Sequence, residues 1–210
     1  MLEWHDYVKI FVAIVVIVDP IGSIPVFLTL TSGRSPADRR RAAWVAALAV
    51  AVVLISSALA GESVMRLFGI GIPSFRAGAG IVVLLMAVSM LNARLGGTRQ
   101  APGEAEEAEE KDTVAVVPLA IPLLSGPGAI STTIVYAHQL SSWLHTFMLC
   151  VIIVGVAVSV WVSLRLAAPI GRALGTTGIN IATRLMGLIL AAIAVEFMAE
   201  GVKDLFPALR

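Results

Sequence analysis

Asp19-Pro20-Ile21-Gly22-Ser23-Ile24-Pro25 sits in the middle of an apolar run, Val8–Leu30, that is long enough to cross a membrane but cannot do so as one straight helix. Pro20 and Pro25 each lack an N–H and clash with the preceding turn. Gly22 loosens the chain between them. The same pattern recurs in Val114–Ala137, which carries Pro118, Pro122 and then Ser125-Gly126-Pro127-Gly128. Four more apolar runs complete the set: Ala42–Ala60, Leu67–Leu91, Trp143–Leu164 and Ile179–Met198. A membrane helix needs about 20 predominantly apolar residues. Six such runs in 210 residues predict an all-α membrane protein of six transmembrane helices, with helices one and four broken near the midplane.

Composition supports the same class. Apolar residues make up 58% of the chain and charged residues 14%, against about 25% charged in an ordinary soluble domain. A net charge of +1 gives no reason to expect a nucleic-acid partner. The expected surroundings are a lipid bilayer. Cys150, the one cysteine, lies in an apolar run and reads as a small buried or lipid-facing residue. Glu3 and Asp6 precede Lys9, and no A-x-A-like cleavage site follows the first run, so that run reads as a retained helix rather than a signal peptide.

The loops set the orientation. Arg34, Arg39, Arg40, Arg41, Arg94, Arg99, Lys111, Arg165 and Arg172 fall on one side, nine in all, against Lys9, Arg66, Lys203 and Arg210 on the other. The positive-inside rule places the nine in the cytoplasm and both termini outside. Residues 93–112 contain Gly96-Gly97, Pro102-Gly103 and six carboxylates between Glu104 and Asp112. Such a segment cannot bury a core and reads as a solvated cytoplasmic linker. It separates a first three-helix unit, 1–92, from a second, 113–210, within one membrane domain.

The two units match at a constant offset of 107 positions. Pro20 falls on Pro127, Gly71-Ile72 on Gly178-Ile179, Gly80 on Gly187 and Ala87-Val88 on Ala194-Val195. Three is an odd number of crossings, so the second unit enters from the opposite side. The expected architecture is a pair of inverted repeats, the arrangement from which many secondary transporters are built.

Broken segments at corresponding places in two repeats point to a midplane binding site. The candidates are Asp19, Pro20, Gly22 and Ser23 at the first break and Ser125, Gly126, Pro127, Gly128, Ser131 and Thr132 at the second, with Thr133 beside them. Half-helix N-termini offer N–H groups and partial positive charge, and the hydroxyls add donors and acceptors. The plain alternative is that Pro and Gly only kink the helices for close packing. Asp19 is a costly charge at membrane depth. It either binds a substrate ammonium, pairs with Arg76 or Arg184, carries a coupling proton, or caps a helix with Pro at N1. Arg76 and Arg184, one position out of register in the repeat, read either as gating or ion-pairing residues or as side chains snorkelling to the headgroups. Glu196 reads as reaching the outer interface. His5, His138 and His145 read as interfacial, with no metal site. Gly78, Ala79, Gly80, Gly155, Gly187, Ala191 and Ala192 read as packing residues.

The chain resembles the MarC family, whose archaeal relatives include the SnatA small neutral amino acid transporters. The stretches that carry the resemblance are Asp19-Pro-Ile-Gly-Ser-Ile-Pro-Val-Phe27, Phe68-Gly-Ile-Gly-Ile-Pro-Ser-Phe-Arg76, Val117-Pro-Leu-Ala-Ile-Pro122 with Gly126-Pro-Gly-Ala-Ile130, and Arg184-Leu-Met-Gly187. It covers nearly the whole length. It implies a six-helix inner-membrane protein, similar to the LysE-like exporters in layout, and transport of small neutral amino acids such as alanine or glycine. Ser23 stands where many members have Asn, and Arg76-Ala-Gly-Ala-Gly80 permutes the family's small-residue run.

The expected function is secondary transport, as export, of a small neutral amino acid. The alternatives are efflux of a drug or other small solute, or a membrane role without transport. A drug pocket would want more than 6% aromatic residues. No Walker A motif, H-E-x-x-H or midplane Ser/His pair occurs, and Asp19 is the only central carboxylate, so the chain reads as neither an ATP-driven pump nor an enzyme, with no cofactor. A proton or sodium ion as coupling partner, and a homo-oligomer, stay open.

Overall fold

The computed structural model describes residues 3–92, 124–139 and 142–206. The linker 93–112 and the first part of the fourth run, with Pro118 and Pro122, lie outside the described residues. Within them the chain forms seven helices and no strand: α1 (Trp4–Val18), α2 (Ile24–Leu30), α3 (Pro36–Leu67), α4 (Ile72–Leu91), α5 (Pro127–Ala137), α6 (Trp143–Arg165) and α7 (Ala167–Leu205).

Four of these, α3, α4, α6 and α7, are each long and apolar enough to cross a membrane. The other two apolar runs do not form single helices of that length. The first is divided into α1 and α2 at the Asp19–Ser23 turn, and α5 begins at Pro127 behind a non-helical Ser125-Gly126. Both divisions fall where proline removes a backbone donor.

Two helices overrun their apolar stretches. Ser35 starts α3 by accepting the Asp38 N–H at 3.2 Å, and Pro36 follows in the first turn, so the helix begins six residues before Ala42. α7 begins at Ala167, but Gly175, at φ 59°, ψ −178°, divides it into a short first segment and the long apolar one.

The broken helices are interior. Seven of the eleven residues of α5 are buried, as are Ile10, Ala13, Ile14, Val16, Ile17 and Val18 of α1. The four long helices surround them and turn residues such as Leu48, Val52, Leu85, Val151, Val158 and Leu188 outward. Exposed leucine and valine at this density on long helices make a lipid-facing surface. Trp4 and Trp143 stand exposed at one end of the bundle, Trp44 at the other, where Trp161 also lies against Arg165. Tryptophans at both ends match the two headgroup levels.

α1 lies against α5, α6 and α7; α5 lies against α1, α3, α4 and, less extensively, α6; α3 pairs with α6 and α4 with α7, and α6 also touches α7. Exchanging each helix for the one 107 residues away maps the larger pairings onto one another, while the smaller α5–α6 and α6–α7 contacts have no counterpart of like extent. α4 and α7 run antiparallel and meet at glycine. A Cβ on Gly80 would come within 2.8 Å of the Ala194 carbonyl oxygen and 2.9 Å of the Met198 nitrogen. A Cβ on Gly187 would come within 3.1 Å of the Ala87 carbonyl oxygen and 3.2 Å of the Leu91 nitrogen. The second pair of contacts is the first pair shifted by 107.

Candidate functional site

Asp19 ends α1 and opens the turn that leads into α2. Its backbone is left-handed, φ 49° and ψ 65°, the sole non-glycine residue with positive φ among those described. Aspartate tolerates this region better than most side chains do. Its N–H still donates to the Val15 carbonyl at 2.9 Å. Its Oδ1 accepts the Gly22 N–H at 3.0 Å, with Pro20 between, and its carbonyl accepts the Ser23 N–H at 3.2 Å. Asp19 is therefore the C-cap of α1, with its side chain closing the turn that follows; it is not the N-cap with Pro20 at N1 that Asp-Pro suggests, because α2 starts later and takes Ser23 as its N-cap. The side chain is buried. Gly22 has no room for anything larger: a Cβ there would lie 2.6 Å from the Asp19 Cγ. Ser23 is also buried and donates to the Pro20 carbonyl at 2.7 Å, closing the turn on itself.

The second break lies beside the first. Gly126 caps α5 in an extended conformation, Pro127 opens the helix, and no side chain caps its first N–H groups. Gly128 faces Met86 of α4 and Ile17 of α1; a Cβ would sit 3.7 Å from the Ile17 Cγ2. The start of α5 thus adjoins the end of α1 two residues before Asp19. Ser125, Ser131, Thr132 and Thr133 are all buried here. Ser131 donates to the Gly128 carbonyl at 3.1 Å and Thr133 to the Ala129 carbonyl at 2.8 Å. The Oγ of Ser125 and the Oγ1 of Thr132 have no hydrogen-bond partner among the described residues. Buried hydroxyls are ordinarily satisfied, so these two, like the Thr183 hydroxyl elsewhere in the bundle, are exceptions, and they lie next to an uncapped helix start.

The arginines do not join Asp19. Arg76, largely buried, binds Glu200 at 3.0 Å and Asp204 at 3.7 Å on α7, near the end of the bundle where α1 begins. Arg184 is exposed and makes no ion pair among the described residues. His145 lies near the same end as Trp143 but is enclosed by protein: its Nε2 lies 2.8 Å from the Tyr136 carbonyl oxygen, and its Nδ1 lies 3.4 Å from the Tyr7 hydroxyl. It ties α6 to α5 and α1. His5 is exposed, and His138 lies 3.6 Å from Glu62.

A cavity of about 690 Å³ opens at the Trp4 end between α1, α5 and α7. Asp6, Glu196 and Glu200 line it, and it descends to Ala13, Tyr136 and Phe197. The rings of Tyr136 and Phe197 meet edge to face with centroids 5.5 Å apart. Ala13 is six residues short of Asp19, about 9 Å along a helix. Glu196 lies at this surface, as its place in the sequence suggests. The aromatic pair has no sequence signal, because its members come from different helices.

A family model described as MarC family integral membrane protein matches residues 4–206. The chain belongs to the MarC family. It is 41% identical over 207 residues to the UPF0056 membrane protein YhcE of Escherichia coli K12, covering 99% of this chain and 96% of that one. It is 34% identical over 203 residues to UPF0056 membrane protein YvbG of Bacillus subtilis 168, with 96% of each covered. A UPF0056 membrane protein of Pyrococcus abyssi is 33% identical over 207 residues, covering 98% and 99%. No solved structure matches. This MarC protein is an integral membrane protein with several apolar helices.

Proposed function

We propose that this MarC protein is a secondary transporter, and not an enzyme, that exports small neutral amino acids such as alanine or glycine across the bacterial inner membrane, with both termini outside. The observation that carries this reading is the meeting of two interrupted helices in the core, where buried Ser125 and Thr132 hydroxyls, unpartnered among the described residues, lie beside the uncapped start of α5. An amino acid zwitterion needs donors for its carboxylate and acceptors for its ammonium. The α5 N–H groups with Ser125 supply the first; Asp19 and the carbonyls ending α1 supply the second. The larger helix pairings, which the 107-residue exchange maps onto one another, support an inverted repeat, and such a repeat can open one site alternately to either face. The deciding experiment is uptake of labelled alanine and glycine by protein reconstituted in liposomes, with and without proton and sodium gradients. Saturable uptake above empty liposomes is expected, and its gradient dependence names the coupling ion. A folded protein that moves no neutral amino acid overturns the substrate assignment.

In the same reading the outer path is shut. Tyr136 and Phe197 close the vestibule floor, and Arg76 clamps α4 to α7 above it. The positions 107 residues away are Thr29 and Met90 for the aromatic pair, Thr183 for Arg76, and Ala93 and Gly97 for its carboxylates. The residue types at those aligned positions offer neither an aromatic pair nor an ion pair, and this asymmetry favours closure to the outside. Arg76→Gln is expected to raise labelling of Ala13→Cys, in a Cys150→Ala background, by a membrane-impermeant thiol reagent several-fold. Unchanged labelling removes Arg76 from gating.

A further inference from the structure

We infer that the arginine-rich end of the bundle holds a binding site for the phosphate headgroup of an anionic phospholipid. The site is the crevice of about 330 Å³ between α2, the start of α3 and the end of α6. Arg39 and Arg40 of α3 and Arg165 of α6 line its mouth, and Phe27, Leu28 and Leu164 line its apolar part. None of the three guanidiniums has a carboxylate within ion-pair distance among the described residues. The nearest acidic neighbour in sequence, Asp38, is engaged by the Ser35 hydroxyl at 2.6 Å. Arg39 spends its Nε on the Thr31 carbonyl at 3.1 Å, which fixes the side chain and leaves its terminal N–H groups to face the crevice. Arg165 stacks on Trp161, 5.4 Å from the ring centroid, and that tryptophan sets the headgroup level. Planar guanidiniums are the side chains best matched to phosphate oxygens.

The repeat supplies an internal control. The crevice at the opposite end, of about 400 Å³, uses Ala58, Ile134, Trp143 and Thr146, which are the positions of Arg165, Phe27, Pro36 and Arg39 shifted by 107. Its charges, Glu62 and Arg66, are bonded to each other. The architecture therefore makes the cleft twice, and arginines with no ion-pair partner among the described residues converge on only one copy. An excess of positive charge on that side explains basic loops; it does not explain convergence of three guanidiniums from two helices on one cleft with an apolar wall. That combination fits a ligand with a phosphate and acyl chains. The inference does not depend on what the protein transports.

The test is native mass spectrometry of the full chain in detergent, titrated with phosphatidylglycerol, phosphatidylcholine or inorganic phosphate. One phosphatidylglycerol is expected to be retained where phosphatidylcholine is lost. Replacing all three arginines (Arg39→Gln, Arg40→Gln, Arg165→Gln) should weaken that binding roughly a hundredfold, on the order of fivefold per guanidinium. Arg34→Gln with Arg172→Gln, at the same end but outside the crevice, should leave it unchanged. Should the triple variant fail to fold, the exposed Arg165→Gln alone is expected to lose roughly fivefold. Equal retention of both lipids, or full retention by the arginine variants, overturns the site. Displacement of phosphatidylglycerol by equimolar inorganic phosphate makes it a free-anion site and overturns the lipid assignment.

Discussion

Asp19→Asn, expressed at the level of the parent protein, is expected to abolish transport while leaving the fold intact. The substitution separates the two roles of Asp19. The Asn side-chain oxygen can accept the Gly22 N–H as Oδ1 does now. Asparagine is also among the few residues that tolerate the left-handed backbone found at this position. The cap and the turn therefore survive, and what is lost is the negative charge. A hydrogen bond to a charged group contributes about 1.5–3 kcal/mol, so losing the ammonium's charged acceptor costs roughly ten- to a hundredfold in affinity. A coupling proton carried by the same carboxylate would be lost outright. Asp19→Ala is the contrasting variant. It removes the bond to the Gly22 N–H as well, and places a β-carbon residue with no local hydrogen bond in left-handed space. Its thermal stability should fall where that of the Asn variant holds. Full uptake by Asp19→Asn would leave the carboxylate a helix cap and nothing more, with the substrate ammonium held by the carbonyls at the end of α1.

Much of this was legible in the residues, because membrane helices announce themselves by length and composition and proline announces where they break. Pro20, Pro25 and Pro127 mark the divisions the structure contains. The partners of the arginines were not legible. Arg76 binds Glu200 and Asp204 because α4 and α7 run antiparallel in one register, and nothing local to Arg76 encodes that register. Arg184 looked equivalent to Arg76 by residue type, yet it is one position off the repeat. One residue turns a helical side chain by about 100°. Thr183, the aligned position, is buried and Arg184 is exposed. The enclosure of His145 is illegible for a related reason. Its place near a helix start suggested the surface, but α5 brings the Tyr136 carbonyl to it and the ring is enclosed. Helix bounds shifted where polar residues extend a helix past its apolar stretch, as Ser35-Pro36-Ala37-Asp38 does for α3.

The α4–α7 seam carries the second large effect. Gly80→Ala is expected to destabilise the folded protein by about 1–3 kcal/mol, as overpacking at a tight contact usually does. The added Cβ would meet backbone, at 2.8 Å from the Ala194 oxygen and 2.9 Å from the Met198 nitrogen, and backbone can yield only by moving a helix. Gly187→Ala, the same contact in the other repeat, meets its backbone neighbours at 3.1 and 3.2 Å and should cost less. Gly78→Ala, two residues from Gly80 on the same helix, meets nothing within 4 Å. It should be neutral or slightly stabilising, since alanine favours a helix over glycine by up to about 1 kcal/mol. Thermal unfolding of the three purified variants in one detergent measures the order directly. The expected ranking sets Gly80→Ala lowest, Gly187→Ala between, and Gly78→Ala at or above the parent. Equal stability of all three would mean that α4 and α7 slide freely enough to absorb a methyl group. A pair that loose would be held at its outer end by the Arg76 ion pairs more than by the glycine contacts, and the seam itself would then belong to the moving part of the proposed cycle.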